Sequence, residues 1–75
     1  MRYEEFIKYI LNGHEFIGQL LSNEFKVLNV IDDYITIIIG NDHKHYLYDN
    51  IEKEIIYDNK TFKELYNSIK LEEML

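Results

Sequence analysis

His43-Lys44-His45, preceded by Asp42, is the segment whose residue types come closest to a reactive site. On an extended strand His43 and His45 point to the same side, and two imidazoles with a carboxylate are ligand types that zinc accepts. A specific site also needs a third ligand held in place by outer hydrogen bonds. The remaining histidine, His14, is remote in sequence, and no residue pattern ties it to the pair. A turn entering a strand accounts for these polar residues without a metal. No metal or other cofactor is expected.

Acid–base chemistry could draw on the carboxylate pairs Glu4-Glu5, Asp32-Asp33 and Glu72-Glu73. Adjacent residues on a helix or strand point apart, however, and these pairs sit at element ends or in turns. For nucleophilic catalysis there is no cysteine, and Ser22, Ser68, Thr36 and Thr61 are the only hydroxyls besides tyrosine. None lies in a Gly-x-Ser-x-Gly elbow, and the three glycines form no phosphate-cradling loop. The expectation is a protein that is not an enzyme.

The 75-residue chain carries a net charge of −6 with only eight basic residues, which are scattered. Binding a nucleic-acid backbone requires clustered Lys and Arg, so direct contact of that kind is not expected. The acid excess favours solubility and encounter with a basic partner. The N-terminal Met1-Arg2-Tyr3-Glu4-Glu5-Phe6 lacks the apolar run of a signal peptide. The longest apolar stretch, Ile35–Ile39 interrupted by Thr36, is far too short to span a bilayer. Without cysteines a small secreted domain would lack its usual staples, so a cytoplasmic protein with no membrane contact is expected. Nearly half the residues are apolar, enough for one compact domain, 1–75, though a chain this short buries only roughly 60% of its extended surface.

Tyr3, Phe6, Ile7 and Ile10 form the stripe of an amphipathic helix over Arg2–Leu11. Acidic Glu4 and Glu5 lie in its first turn, and Asn12-Gly13 is its stop. From His14 the period becomes two. The expected strands are His14–Leu21, Phe25–Ile31, Tyr34–Ile39, His45–Tyr48 and Ile51–Tyr57, with Gly18 marking a bulge. The short connections make neighbours antiparallel, as a meander. Asp58-Asn59 reads as the end of the sheet and a helix cap, and Thr61-Phe62-Lys63-Glu64 has capping-box spacing. Phe62, Leu65, Tyr66 and Ile69 then repeat the helical stripe, with a phase break near Lys70. The fold class is α+β: an N-terminal helix, an antiparallel four- to five-stranded β-meander and a C-terminal helix.

If Asp32-Asp33 is a two-residue hairpin turn, Val30 faces Ile35, Leu28 faces Ile37 and Lys26 faces Ile39. That face belongs under the helices. The opposite face then carries Phe25, Val27, Asn29, Ile31, Tyr34, Thr36 and Ile38. It is left open if both helices pack on one side, and covered if the sheet curls or one helix lies on each side. An open apolar face marks an interface, and its candidate residues are Phe25, Val27, Ile31, Tyr34 and Ile38, with the turn acids Asp32 and Asp33. The seven tyrosines suit a contact surface as well as they suit strands. Two functions follow. One is a protein-binding module, such as an inhibitor, using this face and an acidic rim of Asp32, Asp33, Asp42, Asp49, Glu52, Glu54 and Asp58. The other is a structural homo-oligomer, a homodimer in its simplest form, packed through the same face.

An opening helix ending in Asn12-Gly13-His14-Glu15-Phe16, short strands, Phe62-Lys63-Glu64-Leu65 and a closing Leu71-Glu72-Glu73-Met74 resemble short phage and prophage proteins of low-GC bacteria. Those proteins share the order helix, meander, helix. The sequence departs from them at Leu21-Ser22-Asn23-Glu24-Phe25, where that group tends to carry a Gly-Lys-Lys-Tyr hairpin. The resemblance implies an accessory role in a mobile element, with inhibition of a host defence protein as one use. It assigns no functional residues.

Overall fold

The computed structural model describes residues 1–75. Helix α1 spans Tyr3–Leu11 and buries Phe6, Ile7 and Ile10, the expected stripe. The Glu5 carboxylate accepts the Arg2 backbone N–H at 3.1 Å, satisfying a donor at the helix start. Gly13, at φ +93°, closes the other end and donates to the Ile10 carbonyl.

The main sheet follows as a meander: β1 (Phe16–Leu20), β2 (Asn23–Ile31), β3 (Tyr34–Ile39) and β4 (Asp42–Leu47). A 3₁₀ turn at Tyr48–Asn50 leads to β5 (Ile55–Tyr57) and β6 (Lys60–Thr61), one-turn helix α2 (Phe62–Leu65), a second 3₁₀ turn (Tyr66–Ser68) and β7 (Ile69–Met74). The spatial order is β4-β3-β2-β1-β7, all antiparallel, with β5-β6 as a separate ribbon. The fold is α+β.

Three expectations need correction. The C-terminal helix is a single turn, and the chain ends in a strand. The α2 start is as expected: Thr61 Oγ1 accepts the Glu64 N–H at 3.4 Å, and the Glu64 carboxylate accepts the Thr61 N–H at 3.0 Å. After Ser68 the vacant edge of β1 outcompetes helix propagation, and Ile69 and Leu71 pack their side chains with the core as β7 pairs with β1. The segment Ile51–Tyr57 does not join the meander; only Ile55–Tyr57 is extended, and it pairs with β6. Asp58-Asn59 is accordingly a hairpin turn and not a helix cap. Both residues have positive φ (52° and 59°), as a type I′ turn requires.

Gly18 explains how β7 fits. A Cβ at this position would overlap the Lys70 carbonyl oxygen and lie 3.1 Å from the Leu71 Cα. The β1–β7 register shifts beside it, where β7 carries one extra residue, Glu72. The expected bulge therefore belongs to the strand that glycine admits.

The core lies between this sheet and the helices. Phe6 of α1 stacks on Phe16 (5.0 Å between ring centres) and Phe62 (5.5 Å), and Phe62 reaches Phe25 (6.3 Å). Leu20, Val27, Ile35, Ile37, Ile39 and Tyr46 share that inner face, while Ile51, Ile56 and Leu65 close it.

Candidate protein-binding face

The site candidates depend on the register between β2 and β3. Ile31 does pair with Tyr34 across Asp32-Asp33, as a two-residue turn demands. Between Leu28 and Ile31 the register then shifts, so that Phe25 faces Ile39, Val27 faces Ile37 and Leu28 faces Thr36. The expected Val30–Ile35, Leu28–Ile37 and Lys26–Ile39 pairs do not form. A one-residue slip moves every side chain to the other face. Phe25 and Val27, expected on the open face, are fully buried at 0% exposure in the core, and cannot touch a partner.

Side-chain hydrogen bonds hold this bulge. The Asn29 backbone N–H donates to Glu15 Oε2 at 2.8 Å, and its Nδ2 donates to the His14 carbonyl at 3.2 Å. The Tyr48 hydroxyl donates to Asn29 Oδ1. Partners from residues 14, 15 and 48 thus satisfy a strand residue that has left its ladder. Burial raises the Tyr48 hydroxyl pKa above its usual value, and the Glu15 charge adds to the shift.

Both helices lie on the inner side, so the outer face has no covering layer. Its rows are Leu47, His45 and His43 on β4; Tyr34, Thr36 and Ile38 on β3; Ile31, Leu28, Lys26 and Glu24 on β2; and Ile17 and Gln19 on β1. Thr36 is the one buried residue among them. Its hydroxyl lies 2.8 Å from Nδ1 of exposed His45. Ile31, Tyr34 and Leu47 are direct cross-strand neighbours and remain 47%, 38% and 42% exposed. Leu28, Ile38 and Ile17, each half-buried, extend the apolar surface inward.

Of the expected contact residues, Ile31, Tyr34, Ile38, Asp32 and Asp33 are brought to this face or its tip. Sequence reasoning missed Leu47 and Leu28. Leu47 follows from the period-two pattern once β4 is extended back to Asp42. Leu28 depends on the bulge, whose hydrogen-bonding partners are remote in sequence. The acidic rim divides. Asp32, Asp33 and Asp49 gather at the Ile31–Tyr34–Leu47 end, where Asp33 and Asp49 line an open depression of about 340 Å³ with Leu47 and Tyr48. Asp42 lies at the far end of β4, and Asp58 pairs with Lys60 at 3.9 Å.

His43 and His45 do share a face, as their spacing implied, but His14 stacks edge-on against Tyr9 instead (5.2 Å). No three His, Asp or Glu side chains converge as a metal site. No helix is long and apolar enough to cross a membrane.

These features define a small α+β domain whose five-stranded antiparallel sheet is covered on one face and bare on the other. No family model, curated protein or solved structure matches the chain.

Proposed function

We propose that this chain is a non-enzymatic protein-binding module that presents the Ile31–Tyr34–Leu47 end of its bare sheet face to a partner protein. The carrying observation is the direct apposition of these three exposed apolar side chains on adjacent strands, without a covering element and beside Asp32, Asp33 and Asp49. Exposed apolar groups framed by charge are the usual make-up of a binding surface. The complementary partner has an apolar centre flanked by Lys or Arg, and the net charge of −6 speeds its encounter. The likeness to short phage and prophage proteins favours an inhibitor of a host protein, working in the cytoplasm, as the form this module takes.

The test is affinity capture by the wild-type chain, the Tyr34→Asp and Leu47→Asp variants, and a Lys63→Ala control on the α2 surface. A partner retained by wild type and control, lost from both face variants and weakened by salt supports the reading. Retention by the face variants refutes it. If wild type instead shows a concentration-dependent melting temperature that both face variants abolish, a second copy occupies this face and the chain is a structural homo-oligomer.

A further inference from the structure

The second exposed apolar region lies away from the bare face, along the outer edge of β7. Glu15 and Leu75 exchange both backbone hydrogen bonds, at 3.0 and 2.7 Å. Successive strand residues turn their amides to opposite sides. Lys70, opposite Gln19, therefore addresses β1, whereas Ile69 and Met74 turn their N–H and C=O groups outward to an edge that no strand occupies. Beside this edge are two open depressions. One, of about 460 Å³, is lined by Met1, Tyr66, Asn67, Ile69 and Leu71. The other, of about 170 Å³, is lined by Met1, Phe16, Leu71, Glu72, Glu73 and Met74. Met1, Met74 and Leu75 are all exposed here.

We propose that this edge recognises itself: β7 of a second copy lies antiparallel along it, with Ile69 opposite the second copy's Met74 and Lys70 opposite its Glu73. The bulge dictates this register. Ile69, Leu71 and Met74 point to the inner side of the sheet, and Lys70 and Glu73 to the outer side. Directly opposed residues of an antiparallel pair share a face. The chosen pairing places inner with inner, outer with outer and cation with anion, twice about a two-fold axis. Sliding by one residue mixes the faces. Sliding by two toward the C-terminus sets Glu72 against the second copy's Glu73, two like charges that repel. The extra residue Glu72 meets Leu71 at the axis, so the two bulges face each other and the outward amides of Ile69 and Met74 supply the ladder. The product is one sheet running through both copies, with Met1 of each beside the junction. A single six-residue strand gives a contact smaller than the ~800 Å² per partner of a stable complex, so the dimer dissociates on dilution. Because the outer face of each copy stays bare, this inference stands apart from the proposed function.

Sedimentation velocity from micromolar to millimolar protein tests it. The wild type should convert from monomer to dimer. Lys70→Glu and Glu73→Lys, each checked for wild-type folding by circular dichroism, should weaken the dimer about tenfold or more, since each sets like charges opposite one another twice. The double variant Lys70→Glu/Glu73→Lys should restore wild-type dimerisation. A monomer at all concentrations overturns the proposal. So does a dimer indifferent to the single reversals, a dimer not restored by the double reversal, or one broken only by Tyr34→Asp.

Discussion

The inner and outer faces of the sheet are made from the same strands and both carry large apolar residues, yet those residues have opposite fates. On β2, Phe25 and Leu28 are three positions apart; one is sealed in an aromatic cluster with Phe62 while the other is half-exposed on the bare side. Hydrophobicity alone does not separate them. What separates them is register, and a single bulge at Asn29–Val30 sets the register. The apolar content of a strand therefore does not say which of its side chains are covered, whereas the bulge decides which lie under the chain's own helices and which on the bare side.

The largest contrast should come from truncating each of these two residues. Phe25→Ala removes a fully buried ring and should cost about 3–5 kcal/mol in urea unfolding. Leu28→Ala should cost less, about 1–2 kcal/mol, because that side chain is only half-buried on the uncovered face. Equal losses would mean that the outer face is packed as tightly as the inner one.

Next in size is Gly18→Ala, a substitution on the inner face that acts through the backbone. The added methyl meets the Lys70 carbonyl, which cannot rotate away as a side-chain tip would. Relief requires β7 to lift from β1, and we expect a loss of about 2–4 kcal/mol. Hydrogen exchange should localise the damage to β7, with the β2–β3 amides still protected. Uniform loss of protection would show that β7 unfolds only together with the rest of the sheet.

How much of this was legible follows the same division. Helix α1, its Asn12-Gly13 stop and the Thr61–Glu64 cap are set by residues within a turn of one another, and the sequence reading of them agrees with the structure. The β2 face assignment fails because Glu15 and Tyr48 hold Asn29 from 14 and 19 positions away. Phe62, Leu65, Tyr66 and Ile69 do have helical spacing and predict a helix up to the phase break near Lys70, whereas the structure has one helical turn, a 3₁₀ turn and, from Ile69, strand β7. The competing demand, an unpaired β1 edge with a glycine that admits a bulged neighbour, exists only once the sheet has formed. Of the candidate site, the β3 residues and the turn acids could be read directly, whereas Leu28 could not.

Loosening the bulge should blur the distinction between the faces. Glu15→Ala leaves the Asn29 N–H without its acceptor, at an expected cost of about 1–3 kcal/mol. If Glu15 holds the register, Leu28 should gain protection from solvent as Phe25 loses it. A cysteine at position 28 in the Glu15→Ala background would report this as slower thiol labelling than in the otherwise wild-type chain. Unchanged labelling would show that Tyr48 and Asn29 hold the bulge alone.

Alkali should attack the covered side. Burial raises the hydroxyl pKa values of Tyr3, Tyr46 and Tyr66 above the usual value near 10. Acceptance of the Tyr3 hydrogen bond by Glu52 at 3.1 Å and the nearby carboxylates Glu54, Asp42 and Glu5 push the same way. A group whose folded pKa is raised contributes its full stability below the unfolded pKa and loses it as pH rises through the folded one. The melting temperature should hold steady to about pH 10 and fall above it, in step with tyrosinate absorbance. A melting temperature independent of pH beyond that point would show these hydroxyls to be as well solvated folded as unfolded.

The smallest effect should touch neither face. Leu21 and Gly40 each take the first position of a two-residue hairpin turn, with φ of 55° and 58°. Glycine enters this region freely, whereas a leucine held there costs about 1–2 kcal/mol. Leu21 is also 66% exposed, so its side chain returns little by packing. Leu21→Gly should therefore raise stability by up to about 1 kcal/mol after the added flexibility of the unfolded chain is counted. The same glycine should leave capture by the Ile31–Tyr34–Leu47 end unchanged, because the turn lies at the other end of the sheet. A gain in stability accompanied by lost capture would mean that the bare face works only in a strained sheet, and that its two ends are mechanically joined.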